Sequence, residues 1–105
     1  NATAPGVVRA FSILNAESLV DSQPAYEWFQ TRYERIHAHL LGQFSGLVER
    51  GEVRADVDLD KVIQQILAMM DGLQIQWLRF PDQVDLIECF DAYIAQVDAT
   101  VRARP

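Results

Sequence analysis

Two histidines and one cysteine are the side chains of this sequence best suited to bind a transition metal. His37 and His39 lie two residues apart, so on one helix they point in nearly opposite directions and do not share an ion. No further histidine or cysteine lies one helical turn from either of them, and Cys89 is isolated. We therefore expect no metal and no cofactor. His37 is expected to be a hydrogen-bonded interior or pocket side chain, and His39 to face solvent.

Three alternating aspartates, Asp56, Asp58 and Asp60, have the spacing that begins a calcium-binding loop. Such a loop needs glycine at its sixth position and glutamate at its twelfth, where this sequence has Lys61 and Leu67. We therefore interpret the three aspartates as a turn followed by a helix start. Asp58 is the expected N-cap, and Asp60 suits the positive end of that helix.

Motifs typical of catalytic sites do not occur in the sequence. It contains no nucleophile elbow, no phosphate-binding glycine loop and no zinc-hydrolase motif. Its five glycines are scattered, and no pair of carboxylates stands out. The sequence therefore predicts a protein that is not an enzyme, which leaves binding and assembly as the functions to consider.

The composition indicates one globular domain over residues 1–105. Half of the residues are hydrophobic and 10% are aromatic, which is enough for a single core. A net charge of −6 does not attract phosphate backbones or an anionic membrane. The most apolar stretch, 62–80, is interrupted by amide and charged side chains and is not expected to cross a bilayer. A lone cysteine and no visible signal peptide favour the cytoplasm.

Apolar residues recur at steps of three and four, which predicts four helices and no strands. The expected ranges are about 5–18, 24–50, 59–80 and 82–102. Breaks are expected at Asp21–Pro24, at Gly51 in a left-handed conformation and at Pro81-Asp82. The fold class is therefore all-α, an antiparallel bundle of about four helices.

The apolar faces of these helices indicate more than one packing partner. The first helix carries a stripe of Val7, Phe11 and Leu14, and the third is apolar around nearly its whole circumference. The fourth carries a seam that suits another helix at a shallow angle. One chain of this length can hardly cover every side of the third helix, so the pattern favours a second subunit. The alternative is a seam that packs only inside one subunit.

Several segments resemble the C-terminal domain of TetR-family transcriptional regulators, and together they cover most of the chain. Their order and spacing, rather than any one segment, make the resemblance specific. In chain order they are Ala4–Arg9 with Phe11-Ser12 and Ala16-Glu17, Tyr26–Arg35, Glu49–Asp58 and Leu67–Leu78.

The resemblance implies a fold and a function. The last two helices are expected to pair with those of a second subunit as a four-helix dimer interface, and a small-molecule effector is expected to bind inside the domain. Operator DNA would be read only by an N-terminal helix-turn-helix domain. Nothing in this sequence matches that domain, so we expect it to be missing here.

The candidate effector site consists of residues on the first three expected helices, with mostly apolar and a few polar side chains. The alternative is that these residues form an ordinary packed core. The candidates are Phe11, Leu14, Asn15, Trp28, Tyr33, His37, Phe44, Met70, Gln74 and Trp77. Asp71, mid-helix in an apolar setting, is expected to be partly exposed, with contact to a ligand amine or across the dimer as the alternatives.

The candidate dimer interface lies on the third and fourth helices. Gly72 is unfavourable inside a helix, and close approach of a partner helix would compensate for it. The candidates are Met69, Gly72, Leu73, Gln76, Phe80, Leu86, Ile87, Phe90, Tyr93, Ile94 and Val97. The sequence thus predicts a ligand-sensing homodimerisation domain of a repressor. A helical dimerisation or interaction module without a small-molecule ligand is the alternative.

Overall fold

Four α-helices form the fold in the computed structural model, which describes residues 5–20 and 22–104. They are α1 (Pro5–Glu17), α2 (Tyr26–Glu49), α3 (Leu59–Arg79) and α4 (Leu86–Val101). The all-α prediction is confirmed, and the first three helices begin and end within two residues of the expected positions. Ala4, in the resemblance to the opening helix, and Asp21, in the expected break, lie outside the described residues.

The turn between α2 and α3 follows the predicted residues. Gly51 adopts a φ of +76°, which glycine tolerates and other residues disfavour, and its N–H donates to the Val48 carbonyl at 3.0 Å. Asp58 caps α3, because its Oδ1 accepts a hydrogen bond from the Lys61 N–H at 3.2 Å. Both predictions are confirmed.

The predicted start of the fourth helix at Asp82 is wrong, since α4 begins at Leu86. The Asp85 side chain accepts a hydrogen bond from the Glu88 N–H at 3.0 Å and so supplies the N-cap. The chain between α3 and α4 instead forms a turn, in which the Val84 N–H donates to the Phe80 carbonyl at 3.0 Å. The cap lies three residues further along the chain than the break after Pro81 indicates.

Helix α3 lies at the centre, and α1, α2 and α4 each pack against it. A core cluster of Val8, Trp77 and Leu86 joins α1, α3 and α4. The apolar stripe expected on α1 is only partly buried: Phe11 is half-buried, whereas Val7 and Leu14 are 72% and 50% exposed. The reason is that α1 turns its Val8 side toward α3, so the neighbouring face points outward.

A short backbone pairing ties the loop after α2 to the end of α4. The Arg54 N–H donates to the Val101 carbonyl, and the Ala103 N–H donates to the Glu52 carbonyl, each at 3.0 Å. We call this pairing of residues 52–54 with 101–103 the clasp. Val53 and Val101 are buried within it, and Ile63 on the first turns of α3 is fully buried. No described helix is both long and apolar enough to cross a membrane.

Candidate functional site

A chain of hydrogen bonds links α1, α2 and α3 at a partly buried position. The Asn15 side-chain N–H donates to the Tyr33 hydroxyl at 2.8 Å, and that hydroxyl donates to Asp71 Oδ2 at 2.5 Å. Asn15 lies on α1, Tyr33 on α2 and Asp71 on α3, so one phenol oxygen connects three helices. Asp71, expected to be partly exposed, is half-buried with Tyr33 as its hydrogen-bond donor.

The surroundings of Tyr33 keep its hydroxyl protonated. Burial raises the pKa of the Tyr33 hydroxyl above its ordinary value, and the hydrogen bond to Asp71 raises it further. The hydrogen bond from Asn15 acts in the opposite direction with a smaller effect. At neutral pH the phenol is therefore a neutral donor, which suits a neighbouring carboxylate acceptor.

The first of two cavities beside this chain lies between α1, α2 and α3, and we call it the three-helix cavity. Its volume is about 440 Å³. Polar groups of the hydrogen-bonded chain lie in its wall among apolar and aromatic side chains. Its lining residues are Phe11, Ser12, Asn15, Ala16, Ser18, Leu19, Phe29, Gln30, Tyr33, Asp71, Gln74 and Ile75.

The second cavity lies between α2 and α3 on the other side of Tyr33 and Asp71, and we call it the α2–α3 cavity. It is an open groove of about 750 Å³, within the usual volume range for a small-molecule site, and five residues of its wall are exposed: Glu34, Ala38, Asp60, Gln64 and Ala68. Among the described residues that line it there are three carboxylates and one histidine, but no lysine or arginine. The lining comprises Tyr33, Glu34, His37, Ala38, Leu41, Asp60, Gln64, Leu67, Ala68 and Asp71. His37 Nε2 lies 2.7 Å from Asp60 Oδ1 within this wall.

An aromatic cleft of about 520 Å³ lies at the C-terminal half of α1, beside the turn into α2. Phe11, Trp28 and Phe29 meet there edge to face, with ring centroids 4.8–6.0 Å apart. The Arg32 guanidinium lies 5.1 Å from the Phe11 ring centre and 5.7 Å from the centre of the Trp28 ring. The Arg32 guanidinium is thus held against these rings.

The structure brings most of the predicted effector residues to one of these three openings. Phe11, Asn15, Tyr33 and Gln74 line the three-helix cavity, and Tyr33 and His37 line the α2–α3 cavity. Leu14 and Trp28 line the aromatic cleft with Phe11. Three candidates lie elsewhere: Phe44 and Met70 are half-buried outside these openings, and Trp77 is buried in the core cluster.

Sequence reasoning missed the polar half of the α2–α3 cavity, namely Glu34, Asp60 and Gln64. The available signal was the spacing of Gln64, Ala68 and Asp71 on α3, which puts three small or polar side chains on one side of the helix. From the sequence, that strip indicates only that Asp71 is partly exposed. Whether such a strip faces water or a cavity depends on where α2 lies. The spacing of residues along α3 does not indicate the position of α2.

The predicted dimer residues divide into an outward-facing group and an inward-facing group. Met69, Phe80, Ile87 and Ile94 are 37%, 50%, 62% and 36% exposed, although each is large and apolar. Leu86 is buried and Leu73 packs against the core cluster, so these two already have partners within the subunit. Of the remaining candidates, Gln76 is exposed. The other four are half-buried: Gly72, Phe90, Tyr93 and Val97.

Metal-binding geometry is not found within residues 5–20 and 22–104, where no three His, Cys, Asp or Glu side chains come together suitably. The arrangement of cavities, a neutral phenol and half-buried carboxylates can bind a small molecule, through apolar contact and a few directed hydrogen bonds. It offers no activated nucleophile among the described residues.

Comparison with known families gives one match. A family model described as BetI-type transcriptional repressor, C-terminal, matches residues 7–103, which include nearly all of α1 and all of α2, α3 and α4. No curated protein sequence and no solved structure matches the chain.

Proposed function

Because the chain belongs to the family of BetI-type transcriptional repressor C-terminal domains, we propose that it is the ligand-sensing and dimerisation domain of a TetR-type repressor. A small apolar or amphipathic effector binds within the bundle and controls DNA binding by an N-terminal helix-turn-helix domain. Operator DNA contacts only that N-terminal domain, and such a regulator acts in the cytoplasm. The domain itself performs no catalysis.

The observation that carries the effector site is the pair of cavities that meet at Tyr33 and Asp71. Cavities of about 440 and 750 Å³ border the same hydrogen-bonded pair. Both combine apolar walls with a few polar groups, as small-molecule sites do. The three helices that supply these groups can therefore respond together to an occupant.

The homodimer is supported by the shape of the subunit and by its uncovered apolar side chains. The Cα radius of gyration is 15.8 Å, whereas a compact chain of this length has about 13 Å. The subunit is also flat, with principal-axis extents of 45 × 35 × 17 Å. Phe80 on the end of α3 and Ile87 and Ile94 on α4 are exposed on this flat subunit. A second copy that packs on α3 and α4 would bury them.

Helix α3 connects the two roles, because it carries both sets of residues. Ala68 and Asp71 line the α2–α3 cavity, while Met69 and Gly72 belong to the candidate dimer face about a quarter turn away. A ligand that moves α2 against α3 therefore changes the dimer face too. In a full regulator this would alter the spacing of the two DNA-reading helices, which must match grooves about 34 Å apart. The shift cannot exceed the difference in the ligand's affinity for the two arrangements.

Thermal melts of the domain with a panel of aromatic and amphipathic compounds test the proposal. A ligand that binds only the folded state raises the melting temperature in a dose-dependent way. We expect at least one member of the panel to do so. If no compound shifts the melting temperature, the alternative gains support: a helical dimerisation or interaction module without a small-molecule ligand.

A matched pair of variants tests whether a shift in melting temperature arises from binding in the α2–α3 cavity. Ala68→Trp places a large ring in the wall of the α2–α3 cavity and is expected to abolish the shift. Ala92→Trp places the same ring on an exposed position of α4 that lines none of these openings, and it should leave the shift unchanged. Equal shifts in both variants would place the ligand outside this cavity.

A further inference from the structure

Among residues 5–20 and 22–104, only Tyr33 and Asp71 are shared by the linings of the three-helix cavity and the α2–α3 cavity. The two linings therefore meet at the 2.5 Å hydrogen bond of this pair, which can act as a partition between the two spaces. A partition made of one hydrogen bond between two helices can be opened by a side-chain rotation, without separating the helices. With the partition open, the two cavities become one elongated site.

We propose that the Tyr33–Asp71 hydrogen bond is a ligand-opened gate, and that the ligand that opens it is a protonated primary amine with an unbranched apolar chain. The ammonium N–H replaces the Tyr33 hydroxyl on Asp71, and the apolar chain lies along the joined cavities. This inference rests on the proposed effector-binding function and specifies its ligand class.

The ligand must carry a hydrogen-bond donor, which we call the donor requirement, because of the position of Asp71. It is half-buried in the middle of α3, and the Tyr33 hydroxyl donates to its Oδ2. A half-buried carboxylate that loses its donor carries a desolvation penalty, so whatever displaces Tyr33 must bring a donor of its own. A plain hydrocarbon lacks one and leaves the gate closed. The Tyr33 hydroxyl can rotate toward solvent, which supplies its hydrogen bonds.

The charge requirement follows from the rest of the wall. Glu34 and Asp60 lie in the same cavity as Asp71, while Arg32 is held against the rings of the aromatic cleft. An anionic ligand would face like charges, and a cation is attracted. An alkylamine, like the lysine side chain, is protonated at neutral pH. A quaternary ammonium has the charge without any N–H, so it satisfies the charge requirement but not the donor requirement.

Four probes with the same eight-carbon chain separate these requirements: n-octylamine, octyltrimethylammonium, octan-1-ol and octanoate. Calorimetric titration of the unaltered domain measures the affinity of each. Both n-octylamine and octan-1-ol can donate a hydrogen bond to the Asp71 carboxylate, but only the ammonium adds the attraction of opposite charges, so n-octylamine should bind about five- to tenfold tighter than octan-1-ol. The affinity of n-octylamine should exceed that of octyltrimethylammonium by at least the same factor. Octanoate should bind most weakly of the four.

Variants then locate the preference at the gate. Tyr33→Phe removes the competing hydroxyl and should tighten n-octylamine binding several-fold. Asp71→Asn keeps an acceptor but removes the charge, so it should fold normally and lose the preference for n-octylamine over octan-1-ol. Asp91→Asn makes the same substitution at an exposed position of α4 and should retain the full preference.

Equal binding of n-octylamine and octan-1-ol, or an unchanged preference in Asp71→Asn, overturns the gate. In that case octan-1-ol still binds, and the effector cavity of the proposed function stands. Weaker binding of n-octylamine to Tyr33→Phe overturns the displacement step, because it would show that the ligand needs the hydroxyl in place. If none of the four probes binds, the gate is contradicted, whereas the effector cavity is contradicted only if the wider panel of compounds also leaves the melting temperature unchanged.

Discussion

Two regions of α3 are built in different ways. At its N-terminal end Ile63 is fully buried, and the clasp ties the preceding loop to the end of α4 by backbone hydrogen bonds. Around Asp71, about half a turn beyond its middle, α3 is bordered by two cavities and bonded to α2 through Tyr33. One helix thus combines a fixed end with a region that has room to move.

This contrast indicates how a small bundle can sense a ligand without losing its fold. Buried apolar side chains and satisfied backbone groups at the clasp keep α2, α3 and α4 in place, whereas polar side chains separated by cavities allow local adjustment. The hydrophobic pattern is similar in both regions. Only the packing distinguishes the filled region from the hollow one.

The largest expected effect comes from truncating matched aliphatic residues in the two regions. Ile63→Ala at the filled end should lower the free energy of unfolding by about 2–5 kcal/mol, because it leaves a cavity in a fully buried site. Leu41→Ala, in the wall of the α2–α3 cavity, should cost no more than about 1–2 kcal/mol. Urea denaturation measures both. Equal losses would remove the distinction between the regions.

A second test concerns the turn that leads into the clasp. Gly51 has a φ of +76°, so Gly51→Ala should cost about 1–2 kcal/mol of stability from backbone strain. The same measurement on Gly42→Ala in α2, where a Cβ meets nothing within 4 Å, should show a small gain. Stability unchanged by Gly51→Ala would mean that the left-handed turn does not constrain this end.

A substitution at Gly72 tests whether this position belongs to the expected dimer face. A Cβ there meets nothing within 4 Å in one subunit, so Gly72→Ala should stabilise the helix by up to about 1 kcal/mol. If a partner helix packs closely at this position, the same change weakens dimerisation. Sedimentation equilibrium checks the dimer, and Gly42→Ala is the control that gains helix stability alone. Unchanged dimerisation in Gly72→Ala would place the interface elsewhere.

The smallest expected effect is a pH dependence confined to the hollow region. Burial and the bond to Asp71 raise the pKa of Tyr33, so the folded protein holds this proton to higher pH than the unfolded chain does. The stability gained from the raised pKa is complete below the ordinary tyrosine pKa of about 10 and is lost as the pH rises through the folded-state pKa. Denaturation of the unaltered protein and of Tyr33→Phe between pH 8 and 11 should show their stability difference falling above pH 10. A constant difference would contradict the raised pKa.

Much of the fold could be predicted from the sequence because its signals are local. Apolar spacing, the Asp58 cap and the left-handed Gly51 each depend on a few neighbouring residues, and the structure has all three. The start of α4 was predicted wrongly, because two aspartates three residues apart, Asp82 and Asp85, can each cap a helix. Only the Asp85 side chain accepts the capping hydrogen bond.

The candidate site was less predictable because it depends on contacts between helices. Tyr33 and Asn15 were recognised as pocket candidates, yet their hydrogen bonds to each other and to Asp71 join residues 18 and 38 positions apart. Tryptophan is a residue type that often lines ligand pockets, but residues of α1 and α4 cover Trp77. Spacing along one helix indicates a face, and the neighbouring helices decide whether that face is filled or hollow.

Amide hydrogen exchange, measured with and without n-octylamine, tests most directly whether the hollow region of α3 is the part that responds to a ligand. We expect exchange to slow in the segments of α1, α2 and α3 around Asn15, Tyr33 and Asp71, and to stay unchanged at the clasp. Slowing that is centred on residues 52–54 and 101–103, or spread evenly over the chain, would contradict the division into a fixed end and a responsive region.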